Sequence, residues 1–195
     1  MPAVLVERAF TKAARQFAGE TRKETDIPYL SHLMSVAALV MEAGGDEVQV
    51  AAAFLHDSAE DKGGEAELGR IEAEFGAEVA AIVRDLSDSL VDTTAGQTKE
   101  AWGLRKQRYI EHLREAPERS LVVAAADKLH NARCILSDLR QHVDVWNRFN
   151  ENDPERQLGY YRSLAAVFHE RLHSPLSDEL NRTVAELERL VGNDK

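Results

Sequence analysis

Residues 54–61 read Phe-Leu-His-Asp-Ser-Ala-Glu-Asp, and the stretch changes from apolar to densely ionisable within one turn. The apolar residues before it recur at three- and four-residue spacing, which predicts that it ends an amphipathic helix. On a helix, His56 lies one turn before Glu60 and Asp57 one turn before Asp61, roughly 6 Å apart in each pair. Three carboxylates this close repel one another unless a cation or bound protons offset their charge. The stretch therefore indicates a divalent-metal site, with a solvated acidic helix end as the alternative.

The composition favours packed helices over sheets. The chain has 195 residues, of which 44% are hydrophobic, 6% are aromatic and five are proline. This length suits one domain with an ample core. We therefore expect residues 1–195 to form a single all-α domain, a bundle of about eight to ten helices.

Charge and cysteine content narrow the class of protein. A net charge of -10 argues against nucleic-acid binding, which needs a basic face, although a local basic cluster with a metal could still bind a polyanionic small molecule. Cys134 is the only cysteine, so a reducing, cytoplasmic setting fits. No segment resembles a signal peptide or a membrane span, so we expect no membrane association. The oligomeric state stays open, a homo-oligomer included.

Periodicity and helix-stop residues locate the predicted elements. Residues 87–97 are rich in turn formers and lack helical periodicity, so they predict a surface loop. The predicted helices cover residues 5–17, 28–43, 47–58, 65–74, 77–86, 99–114, 121–133, 155–172 and 176–191.

Two further elements bring potential ligands out of apolar helices. His32 lies in an apolar stripe, where a lone histidine is more often a hydrogen-bonded core residue. Asp127 follows a fully apolar run, and a buried aspartate is costly unless it is paired or metal-bound; a salt bridge to Lys128 or Arg133 is the alternative. The joint occurrence of these elements with the His56-Asp57 pair strengthens the metal interpretation.

The order of these groups resembles the HD superfamily of metal-dependent phosphohydrolases, and more narrowly the (p)ppGpp hydrolase domain of RelA/SpoT homologues, here as a small alarmone hydrolase. The matching segments are TRK at 21–23 with PYLSH at 28–32, AFLHDSAED at 53–61, FGAEVA at 75–80 and ADKLHNAR at 126–133. The HDxxED run together with the later DKLHN run is far more specific than an HD dipeptide alone.

The resemblance implies an all-helical HD domain that binds one Mn²⁺ and releases pyrophosphate from the 3′ position of (p)ppGpp or a related nucleotide polyphosphate. It also implies a role for each matching residue. The residues that match the metal ligands are His32, His56, Asp57 and Asp127. The residues that match the catalytic pair are Glu60 and Asp61. The residues that match substrate-binding positions are Arg22, Lys23, Asn131 and Tyr161.

The chemistry is coherent with these assignments. A metal ion with open positions can lower the pKa of a bound water and polarise a phosphate oxygen. Glu60 and Asp61 can then orient or deprotonate that water. Arg22 and Lys23 offer the positive charge that a polyphosphate needs. A mixed basic and aromatic surface at residues 102–109 is either a second phosphate-attracting face or a solvated helix face.

Departures from the family pattern leave the nucleobase and some rival functions open. Phe17 and Glu20 replace a histidine and a glutamine that many relatives carry, and residues 24–27 lack the usual glycine turn. The substrate is therefore left open between a guanine alarmone, an adenine alarmone and another 3′-phosphorylated nucleotide. The alternatives are an HD-type nucleotidase or phosphodiesterase acting on another nucleotide, and a nucleotide-sensing module without turnover. A two-metal phosphodiesterase is disfavoured because the remaining histidines show no HH or HxxxH pattern, and His130 fits a supporting role better than a ligand role.

Overall fold

The computed structural model describes residues 3–193, which fold into ten α-helices and two short 3-10 turns. Within that range the only β pairing is an isolated bridge between Thr21 and Pro28, so the all-α prediction is confirmed. None of the helices in the described range is long and apolar enough to cross a lipid bilayer. The helices are α1 (Ala3–Gln16), α2 (Tyr29–Glu42), α3 (Glu47–Leu55), α4 (Ser58–Lys62), α5 (Gly64–Phe75), α6 (Ala77–Leu86), α7 (Trp102–Leu113), α8 (Glu118–Arg140), α9 (Pro154–Arg171) and α10 (Pro175–Asn193).

Helices α2, α3 and α8 pack against one another in the core, with α1 and α6 against α3, and α9 and α10 against α8. Residues 51–53 of α3 and residues 124–126 of α8 are alanines with no exposed surface. Small side chains at a contact let helix axes approach closely, because the distance between axes depends on the side chains there. His56 follows the first run by three residues and Asp127 directly follows the second, and these two side chains lie near each other.

Helix α3 ends earlier than predicted. Asp46 opens it with a capping box, in which its side chain accepts from the N–H groups of Val48 and Gln49. It ends at Leu55 because His56 Nδ1 donates to the Ala53 carbonyl oxygen at 2.8 Å, an acceptor that a continuing helix would use for its own ladder. The helix predicted over residues 47–58 was therefore too long, and His56 and Asp57 form a break between α3 and α4.

The predicted loop at residues 87–97 is irregular apart from a 3-10 turn at Thr93–Ala95. Gly64 lets this loop lie against the start of α5: its φ is +59°, and a Cβ there would lie 2.2 Å from the Leu90 carbonyl oxygen. Helix α7 begins at Trp102 rather than at Lys99, so Lys99 stays in the irregular segment. The second 3-10 turn, Trp146–Arg148, was not predicted.

Candidate metal centre

Three of the predicted metal ligands lie together in the core. His32 comes from α2, while His56 and Asp57 occupy the break after α3. His32 Nε2 lies 3.2 Å from His56 Nε2 and 3.5 Å from Asp57 Oδ2, and His56 Nε2 lies 3.0 Å from the same oxygen. Atoms that share one ion at bond lengths of about 2.1 Å are about 3.0–3.4 Å apart. The three side chains are thus spaced to hold a divalent metal ion.

Asp127 reaches the same point from α8. Its Oδ1 lies 3.3 Å from His32 Nε2 and 3.7 Å from His56 Nε2. The salt bridge considered as the alternative is also present, since Lys128 Nζ donates to Asp127 Oδ2 at 2.7 Å. Arg133, the other candidate partner, instead pairs with Glu179. Asp127 is therefore both paired with a lysine and directed at the two histidines.

Hydrogen bonds direct the Nε2 atoms of both histidines towards this cluster. The Nδ1–H of His56 donates to the Ala53 carbonyl oxygen, which only accepts, so a neutral His56 has a bare Nε2. His32 Nδ1 lies 2.8 Å from His130 Nδ1. Burial, together with the nearby His32 and Arg22, lowers the pKa of His130 to about 4, so His130 is neutral near pH 7 and can accept from His32. A metal-ligating histidine usually donates its other ring N–H in this way.

The electrostatics of the cluster favour added positive charge. Burial alone would lower the pKa of His56, but Asp57 and Asp127 outweigh it and raise that pKa well above its ordinary value. Burial would raise the pKa of both Asp57 and Asp127. The charge of His56 nevertheless holds the pKa of Asp57 well below its usual range, and the charge of Lys128 does the same for Asp127. Both carboxylates are thus ionised, and they favour positive charge on or beside His56, which a bound cation can supply.

Glu60 is held by two donors from the irregular segment after α6. Lys99 Nζ donates to its Oε1 at 2.7 Å, and the backbone N–H of Asp88 lies 3.3 Å from its Oε2. Burial and the charge of Asp88 raise the pKa of Glu60, while Lys99 counteracts them. The Glu60 carboxylate therefore has a fixed orientation.

Asp61 is suited to accept a proton near neutral pH. Its side chain opens to solvent, yet the surrounding protein desolvates it, and Asp57 and Glu60 add like charge. Together these effects raise the pKa of Asp61 to about 7. A general base works best when its pKa lies near the operating pH.

Two adjoining cavities surround these groups. The inner cavity, of about 370 Å³, is lined by His32, Asp57, Glu60, Asp61 and Asp127. The outer cavity has about 520 Å³ and is walled mainly by residues of the 20–28 segment and of helices α8 and α9. Both are open to solvent, and seven residues line both of them. Those shared residues are Arg22, Lys23, Tyr29, Lys106, Lys128, Asn131 and Phe149.

The structure brings the four predicted substrate-binding residues to the outer cavity. Arg22 Nη2 donates to Asn131 Oδ1 at 2.5 Å, which joins the 20–28 segment to α8. Lys23 Nζ donates to Asn150 Oδ1 at 2.7 Å. Tyr161 lines the outer cavity from α9 and is otherwise buried.

Some residues of the site were missed by the sequence reasoning. Tyr29 donates its hydroxyl to Asp57 Oδ2 at 2.6 Å and stacks on Phe17 with ring centroids 4.7 Å apart. Its position three residues before His32 on one helix was a signal that could have identified it. Lys99 gave no such signal, because it acts from an irregular segment 39 residues after Glu60.

Two of the departures from the family pattern, Phe17 and Glu20, lie outside both cavities, whereas Thr25 and Ile27 of the 24–27 stretch line the outer cavity. Lys62 Nζ bonds the Glu20 carboxylate and lies 4.4 Å from the centroid of the Phe17 ring. Neither Phe17 nor Glu20 lines a cavity, so these two positions form one local contact with the end of α4.

The basic and aromatic surface of α7 divides into two parts. Trp102 and Lys106 line the outer cavity, while Arg108 is exposed and pairs with Glu100. Arg105 and Lys106 both bond the Asp88 carboxylate. Part of α7 thus belongs to the site, and part is a solvated helix face.

Comparison with known proteins finds similarity over about two thirds of this chain or more. The model of the HD domain family matches residues 9–151. A probable guanosine-3′,5′-bis(diphosphate) 3′-pyrophosphohydrolase of Synechocystis is 34% identical over 134 residues, which are 69% of this chain and 17% of that protein. A guanosine-3′,5′-bis(diphosphate) 3′-pyrophosphohydrolase of Xenopus tropicalis is 33% identical over 134 residues, which are 67% of this chain and 69% of that protein. The chain therefore spans only a small part of the long bacterial relative.

Solved structures share the fold. A protein described as a metazoan ortholog of SpoT that hydrolyses ppGpp superimposes with a TM-score of 0.72 at 23% identity, over 98% of both chains. A crystal structure from Listeria monocytogenes has a TM-score of 0.68 at 30% identity, over 84% of this chain and 99% of that one.

Proposed function

This chain belongs to the HD domain family, and we propose that it is an alarmone hydrolase that releases pyrophosphate from the 3′ position of ppGpp or of its adenosine counterpart. One observation carries the proposal: Glu60 and Asp61 line the same cavity as His32, Asp57 and Asp127, beside a larger cavity whose border is basic. The names of the Synechocystis and Xenopus relatives support the same activity.

The donor set suits a divalent metal ion, and Mn²⁺ is our specific proposal. His32, His56, Asp57 and Asp127 would hold one ion through two imidazole nitrogens and two carboxylates, and their side chains are buried or nearly so. Mixed nitrogen and oxygen ligands without thiolate suit Mn²⁺, and Fe²⁺, Co²⁺ and Zn²⁺ accept the same donors. When bound, such an ion acidifies a water molecule and polarises a phosphate oxygen.

The protein side chains supply orientation and proton transfer. Tyr29 and Lys128 each hold one oxygen of a ligand carboxylate, so Asp57 and Asp127 keep fixed directions. Asp61 takes a proton from the attacking water at a carboxylate oxygen, as its pKa of about 7 allows. The water oxygen then bonds the phosphorus attached to O3′, the bond from that phosphorus to O3′ breaks, and O3′ takes up the proton.

The outer cavity would hold the nucleoside. Arg22 and Lys23 have only neutral amide partners, so their positive charges are free to attract phosphate groups. Asn131 and Tyr161 would bound the sugar and base. The one cysteine of the chain, Cys134, is free, which fits a reducing compartment such as the cytoplasm.

A nucleotide panel tests the proposal. Purified protein with Mn²⁺ is incubated with ppGpp, its adenosine counterpart and ordinary 5′-monophosphates, and pyrophosphate and inorganic phosphate are measured separately. We expect pyrophosphate from one or both alarmones, and none after chelation. Phosphate released from a 5′-monophosphate while ppGpp stays intact would instead support the nucleotidase alternative. Binding of ppGpp without any product would support a sensing module.

A further inference from the structure

The border between the two cavities carries more positive charge than one reacting diphosphate needs. Four of the seven residues that line both cavities are cationic: Arg22, Lys23, Lys106 and Lys128. Lys128 is neutralised by Asp127, with 2.7 Å between Nζ and Oδ2. The metal ligands and the Arg22-Lys23 pair already serve the reacting group under the proposed function. The remaining cation, Lys106, comes from a different part of the fold.

The positive charge of Lys106 is only partly neutralised by Asp88, so Lys106 can attract an anionic ligand. Its Nζ donates to Asp88 Oδ2 at 2.6 Å, but Arg105 also bonds the Asp88 carboxylate. Two cations thus share one carboxylate, so Asp88 offsets only one of their two positive charges. The Arg105 side chain is only 12% exposed and lines neither cavity, whereas Lys106 lines both. The uncompensated charge is therefore presented where the cavities meet.

Lys106 and Arg22 form separate anion-attracting points. Lys106 Nζ lies 5.0 Å from the centroid of the Tyr160 ring on α9, while the Arg22 guanidinium lies 5.7 Å from that of Tyr29 on α2. Each aromatic ring supports its cation and limits its movement. Two fixed cations, one on α7 and one in the 20–28 segment, suit a ligand that carries two separate anionic groups, rather than a ligand with one.

We infer that Lys106 binds the phosphate group at the 5′ end of the ribose and makes the site selective for nucleotides phosphorylated at both the 3′ and 5′ positions. This inference rests on the proposed function, which places the reacting 3′ group at the metal ligands. The ribose then lies at the border of the cavities, and its 5′ group lies beside Lys106. Asp88 acts as the positioning residue that holds the lysine there.

The test compares two substrates in matched variants. Guanosine 3′,5′-bis(diphosphate) and guanosine 3′-diphosphate with a free 5′-hydroxyl differ only at the 5′ end. We expect the wild type to prefer the first, and Lys106→Met to lower kcat/KM for it by about 10–100-fold through KM, the range of a charge-assisted hydrogen bond. For the second substrate the same variant should change kcat/KM by less than about 3-fold. Lys106→Arg should keep most of the preference.

Arg108→Met is the control, since it removes an exposed cation of the same helix that pairs with Glu100 outside both cavities. It should leave the ratio of the two kcat/KM values unchanged. An equal fall of kcat for both substrates in Lys106→Met would overturn the inference, because a structural role through Asp88 acts on both alike.

Binding provides a second readout that does not need turnover. Calorimetry compares guanosine 5′-diphosphate with guanosine, each added to wild type and to Lys106→Met. A loss of affinity confined to the diphosphate supports the inference, and equal affinities of the wild type for both ligands contradict it. Failure of the wild type to release pyrophosphate from either substrate would contradict the proposed function, while this binding difference would still decide the role of Lys106.

Discussion

His130 should control metal affinity although it is not a predicted ligand. It accepts the Nδ1–H of His32 at 2.8 Å, and His32 is only 1% exposed. His130→Phe keeps a ring of similar size at the 4.9 Å ring contact but removes the acceptor. The buried N–H of His32 then lacks a partner, at a cost of about 1–3 kcal/mol, or its proton moves to the ligand atom Nε2. We expect metal affinity to fall about 10–100-fold, as is usual when the hydrogen-bond partner of a ligating histidine is lost.

Titration of Mn²⁺ into metal-free protein, followed by calorimetry or by the electron paramagnetic resonance of free Mn²⁺, measures this change directly. Circular dichroism and thermal unfolding establish that His130→Phe is folded. His169→Phe is the matched control, because His169 is 66% exposed and lies on α9. The control should bind Mn²⁺ like the wild type. A folded His130→Phe protein with wild-type affinity would refute the reasoning and reduce His130 to a packing role.

Four further substitutions separate the roles of the acidic residues. Asp61→Asn should lower kcat by about 10²–10⁴-fold with Mn²⁺ affinity retained, whereas Asp57→Asn should lose Mn²⁺ binding; steady-state kinetics and calorimetry on both variants check this. Lys99→Met frees the Glu60 carboxylate and should lower kcat about 5–30-fold at saturating substrate, again without loss of Mn²⁺. Burial would raise the pKa of Asp88, but Lys106 and Arg105 lower it to about 2. The ionised Asp88 therefore stabilises the folded protein above its ordinary pKa of 3.8, and this stabilisation is lost as the pH falls through about 2. The free energy of unfolding of Asp88→Asn, measured in urea, should therefore be about 2 kcal/mol lower than that of the wild type near pH 7. This difference should shrink below about pH 4.

The sequence predicted the helices well where apolar spacing was regular. Helix α6 spans Ala77–Leu86 as predicted, and α9 and α10 differ from their predictions by about one or two residues at each end. The pattern failed at His56, where a side-chain hydrogen bond to Ala53 ends α3. Periodicity reports which face is buried, but it does not report competition for a backbone acceptor.

The candidate site, like the fold, could be predicted from the sequence only in part. Ionisable residues that emerge from apolar helices are visible in the sequence, and His32, His56, Asp57 and Asp127 do converge. Their roles as ligands stay a prediction that metal titration can test. The supporting contacts join distant, irregular segments, as Lys99 does with Glu60, and no local pattern reports such pairs.

Hydrolysis of ppGpp in water labelled with heavy oxygen tests the central claim most directly. Purified protein with Mn²⁺ converts the nucleotide, and mass spectrometry locates the label in the products. The account predicts equimolar guanosine 5′-diphosphate and pyrophosphate, with one labelled oxygen in the pyrophosphate, because water attacks the phosphorus bonded to O3′. Label in the nucleoside diphosphate, inorganic phosphate as the product, or intact ppGpp would contradict it.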